Sequence, residues 1–97
     1  MAFYPNVKVL MAYADTSTPE YSVLIPGPTG DGIWLDVPPG DMFTMLVNAL
    51  ASGNSVTVQT DDGTPDRIYR GYLLSADNTK EEQEIIQKAA AEKGLSG

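Results

Sequence analysis

The sequence predicts a small, mainly β domain: a five-stranded barrel with element order β-β-β-α-β-β, followed by a C-terminal helix. Three observations carry this expectation. Short runs of alternating apolar residues are separated by Gly- and Pro-rich breaks, which is the period-two signature of strands. One strongly apolar helical stretch, framed by Asp41 and Gly53, falls between the third and fourth runs. Finally, 97 residues without a cysteine give one thin core and no disulfide to support it, so closing the sheet on itself would supply stability.

The first run spans Val7 to Asp15. Val7, Val9, Met11 and Tyr13 alternate with Lys8, Leu10, Ala12 and Ala14, and both faces are apolar. A strand apolar on both faces is central or closes a barrel. Thr16 to Glu20, with Pro19, forms a turn. Tyr21, Val23 and Ile25 begin the second strand, which Pro26-Gly27-Pro28-Thr29-Gly30-Asp31-Gly32 ends by removing donors and permitting positive φ. Ile33, Leu35 and Val37 form the third, paired with the second as a hairpin with a long loop. After Pro38-Pro39-Gly40, Asp41 occupies an N-cap position. Met42, Met45 and Ala49 line one side of the helix, and Phe43, Leu46, Val47 and Leu50 the adjacent side. This width suits a helix that plugs the barrel end. Gly53 suits the left-handed position after its last turn.

Ser55 to Thr60 alternates as a half-exposed fourth strand, and Asp61 to Asp66 is an acidic turn with Asp-Gly chemistry. Arg67 to Leu74 is the fifth strand, in which Gly71 marks a bulge or bend. Beyond Ser75 the composition changes. Thr79-Lys80-Glu81-Glu82 is a capping box, and Ile85, Ile86, Ala89 and Ala90 make a narrow apolar stripe ended by Gly94. The expected organisation is a barrel domain over 1–76 and a helical tail over 77–97.

Strand–strand–strand–helix–strand–strand is the element order of the oligonucleotide/oligosaccharide-binding (OB) barrel, in which the helix caps one end; the alternative for the same order is an open α+β sheet with the helix packed on one face. One segment goes further. Met45 to Val58, with a helix ending Ala49-x-x-x-Gly53 and the strand Val56-x-Val58, is followed by an acidic turn and an Arg67-Ile68 strand. This pattern resembles the second half of small bacterial OB-type domains, including the B subunits of AB5 toxins of the subtilase/pertussis type. The resemblance covers about a third of the chain and implies a fold; no sugar-binding residue is carried over from it. The chain departs from those toxins in lacking cysteine.

The chemistry that is missing narrows the function. With no histidine and no cysteine, the usual general base, the serine triad, thiol nucleophiles and thiolate metal sites are all excluded, so no enzyme, catalytic residue or cofactor is expected. Asp61, Asp62 and Asp66 are the densest carboxylates outside the helices. They lack EF-hand spacing and a terminal glutamate, so no metal site is assigned. Gly27 to Gly32 carries no Gly-Lys-Ser/Thr ending and opens into a strand, which argues against a phosphate cradle.

Six basic against thirteen acidic residues give a net charge of -7, which disfavours direct nucleic-acid binding and anionic membranes. A partner with a basic surface, or a small ligand, is expected instead. Tyr13, Trp34 and Tyr69 are the candidate contact aromatics, with Asp61, Asp62 and Asp66 as candidate acidic contacts. The expected function is a non-enzymatic binding and assembly module, acting as a homo-oligomer. The alternative is a small acidic phage-type inhibitor that blocks a host protein by mimicking nucleic acid or sequestering a ligand. The first residues lack a basic region and a long apolar run, so a cytoplasmic location is expected, the host's cytoplasm for a phage protein.

Overall fold

The computed structural model describes residues 2–63, 66–75 and 77–94. Eight elements follow in order: β1 (Ala2–Lys8), β2 (Met11–Asp15), β3 (Glu20–Pro26), β4 (Gly32–Asp36), α1 (Asp41–Ser52), β5 (Ser55–Thr60), β6 (Ile68–Leu74) and α2 (Lys80–Glu92). They form two three-stranded antiparallel sheets, β1-β5-β6 and β2-β3-β4.

This corrects the expected five-stranded closed barrel. The run read as one strand over Val7–Asp15 is two. The chain leaves one sheet at Lys8 and enters the other at Met11, with Val9 buried and Leu10 exposed at the crossing. Among the described residues, the far edges of the two sheets meet only at an isolated parallel bridge, Asp36↔Arg67, so no strand-length ladder closes the ring. The N-terminal strand went unread because Pro5 breaks its pattern. The structure accommodates that proline on an edge strand with a register shift between Tyr4 and Val7. Asn6 sits there at φ 52, and its N–H donates to Thr57 Oγ1 at 3.0 Å instead of to a strand carbonyl.

The two sheets share one core. Val23, Ile25 and Leu35 enter from β3 and β4, Val56, Val58 and Ile68 from β5 and β6, and Leu46 and Ala49 from α1. The helix lies across both sheets, touching β2, β5 and β6. Its buried face is narrower than its composition implies: Met42, Phe43 and Met45 are half-buried against the core, while Val47 and Leu50 are exposed. Gly40, not Asp41, is the N-cap, and no side chain caps the helix. Asp41 is its first residue, where its charge suits the positive end of the dipole. Gly53 does adopt the left-handed conformation, at φ 75, and its N–H donates to Ala49 O at 3.0 Å.

Gly71 serves close approach rather than a bulge. A Cβ there would lie 2.8 Å from Thr57 O, and the register shift falls instead opposite Gln59 and Thr60. The capping box of α2 is formed on both sides: Glu82 N–H donates to Thr79 Oγ1 at 3.2 Å, and Thr79 N–H to Glu82 Oε1 at 3.0 Å. The helix touches the sheet through buried Ala90 and half-buried Ile86, leaving Ile85 in solvent. Residues 64 and 65 of the acidic turn, residue 76 at the expected domain boundary and 95–97 lie outside the described residues. No described helix is long and apolar enough to cross a membrane.

Candidate functional site

Pairing register decides which side chains share a face, because residues directly opposite on antiparallel strands point the same way. In the β2-β3-β4 sheet, Ala12, Val23 and Leu35 form one row and point into the core. The rows on either side point out. Met11, Leu24 and Trp34 make one outer row, and Tyr13, Ser22 and Asp36 the next. Asp15 and Glu20 make a third.

This outer face is apolar at one end and acidic at the other. Met11 is 49% exposed, and Tyr13 and Trp34 are each 43% exposed, a large apolar area to leave in water on a small domain. The two rings meet edge to face, with centroids 6.4 Å apart and an interplanar angle of 76°. That geometry fixes each ring against the other and leaves π-surface open. Tyr13 and Trp34, named from composition alone, are therefore brought together on one face.

The acidic end is also ordered. Asp15 Oδ1 accepts from Ser17 N–H at 2.9 Å and Ser17 Oγ–H at 2.6 Å. These bonds, with smaller ones from Thr18, hold the Asp15 carboxyl below its ordinary pKa and so ionised. Glu20 lies directly across from it, placing two negative charges on one row. Asp36 carries its own partner, the Arg67 guanidinium, at 2.6 Å.

The other residues singled out in the sequence lie elsewhere. Tyr69 is on β6, in the second sheet, with the Arg70 guanidinium 4.9 Å from its ring centroid. The acidic turn is built into the fold. Asp61 Oδ1 accepts from Arg67 N–H at 3.1 Å, and Asp61 N–H donates to Arg67 O at 2.9 Å. Asp66 O accepts from Asp36 N–H at 2.8 Å, which docks the turn onto the end of β4. Burial, then the Asp66 charge and its hydrogen bond, raise the pKa of the Tyr4 phenol. Asp61 thus closes the turn within its own sheet, and the Asp66 carbonyl links that turn to the other. No three His, Cys, Asp or Glu side chains among the described residues are grouped to hold a metal ion.

Met11, Leu24, Asp15 and Glu20 were missed. The period-two pattern contained the signal, since Met11 and Asp15 lie in phase with Tyr13 on β2 and Leu24 and Glu20 lie opposite in phase to buried Val23 on β3, but only pairing register assembles them. Two open grooves of about 440 and about 610 Å³ flank α2, with Tyr72, Leu74, Ile86 and Ala90 common to both. Their shared wall is the stripe by which α2 itself docks. No family model matches the chain, and no curated protein matches it in sequence.

Proposed function

We propose that this protein is a non-enzymatic binding module whose contact surface is the outer face of the β2-β3-β4 sheet. The observation that carries the proposal is the exposed Tyr13–Trp34 pair beside Met11, an apolar cluster that the chain leaves uncovered. Large aromatic side chains of limited rotamer freedom are the usual anchors of protein contacts. The core behind them is filled by packed side chains, so the face is a rigid platform rather than a pocket. The occupant is a protein surface, which can cover three rows at once.

A second reading assigns the same face to inhibition. The net charge of -7 favours it, because an acidic surface placed over a basic groove excludes that groove's normal ligand. The two readings share a surface and differ in consequence. Self-assembly into an oligomer is a further extension, which light scattering tests: it predicts a mass that rises with concentration above the 10.4 kDa of one chain.

Site-specific photo-cross-linking tests the binding module. A photoreactive residue at Met11 is expected to capture a discrete partner from a lysate of the source cells, and Trp34→Ala abolishes that capture. The same residue placed at Ile85, on α2, does not capture it. Capture of the same species from both positions, or from neither, overturns the assignment of the face.

A further inference from the structure

Resting on the reading above, we propose that the segment docking on this face is arginine-bearing, with a guanidinium lying on the Tyr13 ring, beside Trp34, and reaching the Asp15–Glu20 row. The argument is charge complementarity on an apolar platform. Tyr13 and Asp15 are two residues apart on one side of β2, about 7 Å along the strand, which is within the reach of one arginine side chain. Asp15 and Glu20 stand opposite each other as like charges, an arrangement that costs stability unless a cation bridges it. Hydrogen bonds from Ser17 to Oδ1 hold the Asp15 carboxylate in place.

The molecule already makes both halves of the contact separately. The Arg70 guanidinium lies over the Tyr69 ring at 4.9 Å, and the Arg67 guanidinium meets Asp36 at 2.6 Å. On the outer face the Tyr13 ring stands next to the Asp15–Glu20 row, so one guanidinium can stack on the ring and donate to a carboxylate. Arginine suits this better than lysine, because its planar group stacks on a ring while its edge donates to carboxylates.

The other occupants fit less well. A second copy of the chain carries the same net charge of -7 and offers fewer cations than carboxylates to set against Asp15 and Glu20. Nucleic acid is repelled by the net charge of -7.

The test uses the full chain and three Trp-free peptides, identical except for arginine, lysine or glutamine at matched positions. Binding is read from Trp34 emission and from amide chemical shifts. The arginine peptide is expected to move the signals of Met11, Tyr13, Ser22 and Trp34, and to bind at least about tenfold tighter than the glutamine peptide and about threefold tighter than the lysine peptide. The Asp15→Asn/Glu20→Gln double variant, checked for an unchanged fold by circular dichroism, loses at least about fivefold in affinity for the arginine peptide, as does raising salt from about 50 to about 500 mM.

Equal binding of the glutamine peptide overturns the proposal and leaves the binding module standing as a plain apolar face. Equal binding of the lysine peptide overturns the choice of arginine. No binding at millimolar arginine peptide, or shifts confined to the α2 grooves, overturns the proposal outright. Cross-linking at Met11 then decides the wider reading independently.

Discussion

Replacing Leu46 by alanine tests where the core lies. The Leu46 side chain is fully buried on α1, in contact with both sheets through the shared core. The change removes three carbons, worth roughly 2.4 kcal/mol at about 0.8 kcal/mol for each buried carbon. A closed site between a helix and two sheets collapses poorly, and the residual cavity raises the total to about 3–4 kcal/mol. Leu50, one turn on, is 37% exposed. Its truncation loses about two-thirds of the transfer contribution and leaves no enclosed void, so about 1.5 kcal/mol is expected.

A domain of this size has about 5–15 kcal/mol in total, so Leu46→Ala removes a large share of it. Urea unfolding followed by circular dichroism measures both variants, and an unchanged slope shows that the midpoint shift is a stability change. A cost below about 1 kcal/mol for Leu46→Ala, or equal costs for the two leucines, would refute the assignment of the buried face.

Gly53→Ala is expected to cost about 1 kcal/mol in the same assay, because φ 75 is unfavourable for alanine while the space around it is open. Thr79→Ala is expected to cost about 1 kcal/mol of local α2 stability, seen as faster amide exchange in its first turn, whereas Asp41→Ala costs less because Asp41 caps nothing. Hydrogen bonds from Thr79 lower the Glu82 pKa below its ordinary 4.5. The stabilisation of α2 from that box is therefore complete above pH 4.5 and fades as pH falls through the lowered value, which helicity against pH will show. Burial and Asp66 raise the Tyr4 phenol above 10.0, so its contribution is complete below pH 10.0 and is lost as pH rises through the raised value; Tyr4→Phe should delete a component of the phenolate absorbance titration above that pH.

The regular elements were legible in the sequence because local physics fixes them. Thr79 and Glu82 satisfy each other's backbone N–H groups within four residues, and Gly53 ends α1 by a conformation that glycine adopts without strain. The hairpin of β3 and β4 announced itself through alternation on both sides of a Gly- and Pro-rich loop. What stayed hidden depends on distant partners. Pro5 masked β1, and only Thr57, far along the chain, accepts the donor freed at Asn6. An unbroken apolar alternation from Val7 to Asp15 gave no sign that the chain changes sheets at Val9 and Leu10. Asp41 looked like a cap by residue type, but it is already the first helical residue, and the cap position falls one residue earlier, on Gly40.

The site divides in the same way. Tyr13 and Trp34 were named from residue type, and their meeting at 6.4 Å follows from the register of three strands. The acidic turn was named from charge density, but Asp61 and Asp66 are engaged in docking Arg67 and β4. Density of charge in a sequence does not distinguish a carboxylate that binds a partner from one, like Asp61, that closes a turn.

The most direct measurement compares folding and binding in one protein, the Tyr13→Ala/Trp34→Ala double variant. Both rings lie outside the shared core, so the variant is expected to keep its circular dichroism spectrum and stay folded in urea titration. Its affinity for the partner captured through position 11 should fall at least about thirtyfold, as the loss of an anchoring aromatic worth about 2 kcal/mol or more requires. A folded double variant that binds that partner within about twofold of the parent would contradict the account.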